Sequence, residues 1–188
     1  MLGIFGLFAA IIVGMLATFG AFGPKAPVQT SSAAGQEATV KTTGQRAGQA
    51  ASVGETVTAG DLSWTVTAAQ PKDELRKYTY PPETTPGDYV HLEFTVENVS
   101  GRPVTLTGEA VAVYDAAGTE YLPEPDRNSS YVKHEYNILF NELGLLQPGE
   151  RREGKVNVGV LPNAEGFVVE LGDTDPTASE ERYVELGF

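Results

Sequence analysis

No cysteine occurs among the 188 residues. That absence excludes a disulfide framework, a thiolate zinc site, a catalytic thiol and a lipidated N-terminal Cys, whatever the compartment. Basic residues are also scarce: 13 Lys and Arg stand against 25 Asp and Glu, a formal charge of -12. Such a balance repels phosphate backbones and anionic head groups, so nucleic acid is excluded as a partner. The chain has neither Gly-x-Ser-x-Gly nor His-Glu-x-x-His, and no glycine-rich loop that would open a helix onto a phosphate. Nothing places two carboxylates about one cleft, so the expectation is a protein that is not an enzyme and carries no cofactor. What the chain does have, 41% hydrophobic residues with 21 Gly and 12 Pro, suits one core of moderate size.

Charge is missing altogether from Leu2 to Phe22. At about 1.5 Å per residue, such a helix covers roughly 30 Å, the thickness of a bilayer's hydrocarbon. A cleaved signal peptide would show a basic start, a shorter apolar run and a small-residue cleavage site close behind, and none of these is clean here. Residues 1–23 are therefore expected to be a retained transmembrane anchor, with residues 2–22 in the membrane. Lys25 alone does not set its direction by the positive-inside rule. Gly6, Ala10, Gly14 and Thr18 fall on one stripe of that helix. Such a stripe is a candidate face for a homodimer, although ordinary membrane-helix composition supplies the same residues.

Residues 24–52 turn to Ala, Gly, Gln, Ser and Thr with no hydrophobic period, the composition of a disordered linker. Beyond it, residues 54–188 hold 10 basic against 24 acidic side chains, or -14.

Past Val53 the hydrophobic period becomes two. Leu62, Trp64, Val66 and Ala68 alternate with polar residues, as do Val90, Leu92, Phe94 and Val96. Shorter runs follow at Val111 and Val113, at Tyr121 and Leu122, at Val156 to Val160, at Phe167 to Leu171 and at Val184 to Phe188. Asp115-Ala116-Ala117-Gly118 reads as a hairpin loop, with Gly118 supplying the positive φ. Seven or eight short strands punctuated by turns predict an all-β, antiparallel β-sandwich over residues 53–188. No convincing amphipathic helix is predicted, beyond one helical turn within residues 135–146. Residues 71–87 and 123–133 read as long Pro-containing loops, where a binding surface would be built.

Several of these segments carry a likeness. Gly54-Glu55-Thr56-Val57-Thr58, Gly60-Asp61-Leu62-Ser63-Trp64-Thr65-Val66, Gly87-Asp88-Tyr89-Val90 with Glu97-Asn98-Val99-Ser100, Tyr114 to Tyr121, and Leu146-Gln147-Pro148-Gly149-Glu150 stand in order across residues 53–172. Together they resemble a widespread prokaryotic family of immunoglobulin-like domains of unknown function, one that shares its fold with a secreted immunoprotective mycobacterial antigen. The resemblance implies an Ig-like sandwich displayed outside the cytoplasm behind a signal peptide, lipobox or single anchor helix. It brings no catalytic or ligand residues. This chain lacks the lipobox cysteine, which leaves the apolar helix as its only anchor.

Candidate chemistry is thin. His91 and His134 are the only histidines, and His91 is expected to be an exposed residue on the outer side of its strand. Zinc would need both histidines and carboxylates besides. Asp173-Thr174-Asp175 with Glu180 and Glu181 offers oxygen ligands but not the spacing of a calcium loop, so no metal is expected. Tyr78, Tyr80, Tyr131 and Tyr136 lie in the two long loops and are the candidate ligand or partner surface, unless they only pack those loops on the sandwich. Asn98-Val99-Ser100 and Asn128-Ser129-Ser130 match the glycosylation acceptor pattern.

Two functions fit this reading. The first is a membrane-anchored, surface-displayed, non-enzymatic module that makes protein contacts at the cell envelope. The alternative is an extracytoplasmic module that binds a sugar, peptide or cation through the tyrosine-bearing loops. An apolar, aromatic-lined concavity would favour the second, a convex, loop-poor surface the first.

Overall fold

Alternating strands with one apolar face must bury that face against another layer. In the computed structural model, which describes residues 46–140, 144–173 and 181–188, they do so as two packed sheets. The proposed anchor and its stripe Gly6, Ala10, Gly14 and Thr18 lie outside the described residues. Among the described residues no helix is long and apolar enough to cross a membrane.

One sheet has the order β2-β3-β4-β9, built from Thr56–Ala59, Leu62–Arg76, Thr84–Asn98 and Arg151–Gly159. All of its pairings are antiparallel. The second has the order β1-β11-β10-β6-β7, from Ala51–Ser52, Arg182–Glu185, Val168–Leu171, Val111–Tyr114 and Glu120–Tyr121. A small third ladder joins β5 (Val104–Thr105) to β8 (Leu145–Leu146). Trp64, Leu92, Phe94 and Val156 from the first sheet meet Val111, Val113, Val169 and Val184 from the second in one core. Trp64 is fully buried, as its place on the alternating strand predicts, and its ring stands 5.3 Å from that of Phe94. The hairpin between β6 and β7 closes as expected, with Gly118 at φ 86° and Asp115 accepting from the Thr119 amide and the Tyr121 hydroxyl.

The structure corrects several sequence expectations. There are eleven strands among the described residues rather than seven or eight, because β1, β5 and β8 are two residues long and too short to show a period, and β2, with four residues, offers only Val57 and Ala59. One pairing, β1 with β11, is parallel. Residues 46–52 belong to the sandwich and not to the linker. Beyond the pairing of β1, the Arg46 guanidinium lies 3.8 Å from the centre of the Tyr114 ring and its Nε is 3.9 Å from Glu170. A cation held on an aromatic face and beside a carboxylate helps anchor a segment whose only apolar side chains are alanines, of which Ala51 packs on the core.

A register shift between Val66 and Ala68 inverts the alternation of β3, which leaves Ala68 exposed and turns Ala69 toward the core. The same two strands run well past the core. Residues 71–87 are therefore mostly a β-ribbon, turning only between Arg76 and Thr84. Residues 123–133 hold a helix, α1 (Pro125–Tyr131), followed by a 3-10 turn at His134–Tyr136. Seven residues are too few for periodicity to reveal, and the signal that existed was Pro125 at the first helical position.

Candidate functional site

The outer face of the β3-β4-β9 layer is only partly solvated. On antiparallel strands, residues paired across neighbouring chains stand side by side, so Gln70, His91 and Asn157 form one row, with Glu93 and Lys155 paired beside it. Helix α1 and the 3-10 turn cover part of this face. Asn128 of α1 is fully buried and clamps the edge of β9: its amide donates to Asn157 O at 3.1 Å, and its oxygen accepts from Asn157 N at 2.7 Å. That one side chain supplies both bonds a further strand would make there. The tip of the β3-β4 ribbon closes the other side, with Tyr78 N donating to Ser130 O at 3.0 Å and the Tyr131 hydroxyl 2.6 Å from Thr85 Oγ1.

Between these walls lies a cavity of about 340 Å3. Its floor is Gln70, Lys72, His91, Glu93 and Lys155, and its rim carries Tyr78, Tyr131 and Tyr136. Three of the four tyrosines singled out in the sequence are thus brought together, although they come from two separate segments. Tyr80 is not among them; it is fully exposed. A neighbouring depression of about 220 Å3 shares Glu93, Tyr136 and Lys155 and extends along β9 toward Gly154.

His91 is buried, not exposed, because α1 docks over it. Its Nδ1 donates to Asn157 Oδ1 at 2.7 Å, and Nε2 stands 3.4 Å from Glu93 Oε1. Burial pushes its pKa below the ordinary 6.5, against the opposing pull of Asn157 and Glu93, while the charge of Lys72 pushes it further down. Glu93 is held below the usual carboxylate range by Lys155, whose Nζ reaches Oε1 at 2.6 Å. Lys72 is half-buried, and burial lowers its pKa, with Lys155 adding repulsion and Glu93 opposing. No ion pair of Lys72 is found among the described residues.

A histidine whose folded pKa lies below 6.5 contributes stability that is fully present above that value and lost as pH falls through the folded pKa, since the unfolded chain takes up the proton first. The melting midpoint is therefore expected to fall between pH 7 and pH 5 more steeply in the parent than in His91→Gln. Parallel profiles for the two proteins would remove His91 as the source.

Other sequence candidates stand elsewhere. His134 is exposed on the 3-10 turn. Asp173 turns its carboxylate onto the amide of Asp61 at 3.0 Å, and Glu181 accepts from the Tyr183 hydroxyl at 2.6 Å. The remaining acidic candidates there, Asp175 and Glu180, lie outside the described residues. Among the described residues no three His, Asp or Glu side chains gather as a metal centre would require. Asn98 and Asn128 are both fully buried, with their amide nitrogens donating to backbone oxygens of Arg102 and Leu146 and of Glu124 and Asn157. Neither can carry a glycan in the folded domain.

Residues 51–182 match the family described as Domain of unknown function (DUF4352). The chain belongs to this family. It is the one the strand and turn motifs anticipated, and the match takes in all the residues of the cavity. No curated protein matches the chain. Among solved structures, the family fold is similar to the yjhA protein of Bacillus subtilis, at 16% identity and TM-score 0.53 over 71% of this chain and 97% of that one. MPT63, a secreted protein from Mycobacterium tuberculosis, is similar at 18% identity and TM-score 0.50, over 72% of this chain and 95% of its own. A functionally unknown protein from Listeria monocytogenes EGD-e gives 9% identity and TM-score 0.52, over 74% and 83%. At such identities these likenesses carry the fold alone.

Proposed function

We propose that this domain is a non-enzymatic, Ig-like binding module, displayed outside the cytoplasm behind an N-terminal membrane anchor, and that it holds a small ligand in the tyrosine-rimmed cavity. The observation that carries the reading is the convergence of Tyr78, Tyr131 and Tyr136 on one concavity whose floor is polar. Pockets of a few hundred Å3 with fixed aromatic walls and a few convergent polar groups are the ordinary form of small-molecule sites. The rim is fixed by the ribbon-to-helix hydrogen bonds, so little ordering is left to be done on binding. Display outside the cytoplasm is supported by the uncharged run Leu2 to Phe22 and by the likeness in fold to a secreted protein.

Two measurements test the reading. Protease added to intact cells is expected to remove the domain; survival until lysis would overturn the location. Protein-detected NMR on the full chain in detergent, with a panel of neutral, cationic and anionic sugars and short peptides, is expected to move signals of Tyr78, Tyr131 and Tyr136 together. Shifts that avoid the cavity for every member of the panel would overturn the site.

Protein contact at the envelope is the second reading. It is favoured by a shallow groove of about 450 Å3 on the other sheet, where Leu122, 54% exposed, stands with Pro123, Pro125 and Phe140. Crosslinking in native membranes through a photoreactive residue at position 122 tests it, and no adduct beyond the monomer would overturn it.

A further inference from the structure

The charge of the cavity is opposite to that of the domain around it. Residues 54–188 carry 10 basic and 24 acidic side chains, yet the cavity is lined by Lys72, Lys133 and Lys155 against Glu93 alone. Three of those ten cations thus face one concavity, which lies in a field that would otherwise turn anions away.

These lysines are not equivalent. Lys155 is neutralised by its ion pair with Glu93, and its Nζ sits 5.1 Å from the centre of the Tyr136 ring. Lys72 has given up part of its hydration on the floor without an ion pair among the described residues. A partly desolvated ammonium gains most from an anion that replaces the lost water. His91 adds no positive charge to the floor, since its ring stays neutral with Nδ1 donating to Asn157, and its Nε2 is turned toward Glu93.

The rim selects for a ring. The Tyr131 hydroxyl is engaged with Thr85, which fixes the ring, and Tyr136 is set against Lys155. Fixed aromatic rings beside a polar floor offer faces and edges to the C–H side of a saturated ring while its hydroxyls turn to Gln70 and the lysines.

We infer that the cavity binds an acidic sugar, with the ring against Tyr78, Tyr131 and Tyr136 and its carboxylate or phosphate on Lys72. This rests on the reading of the cavity as a ligand site and names the class of ligand it takes. Carboxylate and phosphate share the chemistry that Lys72 recognises, so the experiment separates them.

Isothermal titration of the full chain in detergent would compare D-glucuronate, D-glucose 6-phosphate, D-glucose, D-glucosamine and inorganic phosphate, with NMR to place each. One or both acidic sugars are expected to bind in the cavity at least 10-fold more tightly than glucose, glucosamine or inorganic phosphate. Lys72→Gln should remove that margin, Lys72→Arg should retain it, and Arg151→Gln, at the far end of β9, should leave it unchanged. The salt dependence should weaken with Lys72→Gln as well. Whichever acidic sugar binds more tightly tells carboxylate from phosphate. Cavity binding of glucose or glucosamine as tight as that of the acidic sugars overturns the anion assignment and leaves the binding module standing. Inorganic phosphate binding as tightly as the sugar phosphate overturns the ring contact. No shift in the cavity with any probe overturns this inference, and the module itself falls only if the wider peptide and sugar panel is also silent there.

Discussion

Phe94→Ala is expected to destabilise the domain by about 3 to 5 kcal/mol, within reach of the whole stability of an ordinary domain of about 5 to 15 kcal/mol. Phe94 is 2% exposed, and its ring packs at a tilt of 58° on Trp64. Its neighbour across β9 is Gly154, where an added Cβ would sit on the Phe94 ring. The ring thus occupies space that the adjacent strand leaves open by having no side chain. Removing it opens a cavity that glycine cannot refill, and the cost of such a deletion rises with the cavity that remains. Urea unfolding followed by tryptophan fluorescence measures this, since Trp64 is the only tryptophan. A lowered midpoint with an unchanged slope is the expected result. A midpoint close to that of the parent would remove Phe94 from the core.

Asn128→Leu is expected to cost about 2 to 4 kcal/mol, because each buried backbone group left without a partner costs roughly 1 to 3 kcal/mol. The amide and carbonyl of Asn157 lose their bonds together, on an edge strand where no further strand can replace them. The effect should be regional as well as global. Hydrogen exchange of the Asn157 amide should accelerate by more than the loss of overall stability explains, and the proposed ligand binding in the cavity should be lost, because Tyr131 and Tyr136 follow Asn128 on the same segment. Asn128→Asp keeps the acceptor for Asn157 N–H but turns a buried carboxylate oxygen onto the carbonyls of Glu124 and Asn157, so a loss at least as large is expected at neutral pH. Equal exchange rates in parent and Asn128→Leu would show that α1 is held by something other than this clamp.

The strands that pair across the core were legible because their side chains obey a period of two over four or more residues, as at Val90, Leu92, Phe94 and Val96. Turn chemistry was legible for a different reason: a position such as Gly118, at φ 86°, excludes most other residues. Where either signal was interrupted, reading failed. The shift at Val66 and Ala68 inverts a phase that the sequence continues unbroken, and nothing in Thr67 announces it. Strands β1, β5 and β8 owe their existence to a partner and not to a pattern.

The site shows the same division. The sequence could single out tyrosines in two segments, but it gave no ground for joining Tyr78 to Tyr131 and Tyr136 while dropping Tyr80. That choice is made by hydrogen bonds between the ribbon tip and α1. Lys72, Glu93 and Lys155 were missed because alternation assigns their positions to a face turned away from the core, where charged residues need no explanation.

By itself the sequence determined the class of fold, the inward set of apolar residues, the acidic balance and the family, because each follows from local alternation, turn stereochemistry or composition. The tertiary structure decided which outward face is covered. Asn128 reaches Asn157 across 29 positions in the chain and His91 reaches it across 66, and contacts at such separations leave no local period to read. The burial of His91, the clamp on β9 and the gathering of three lysines into one cavity of an acidic domain all follow from that docking of α1, which only the folded chain specifies.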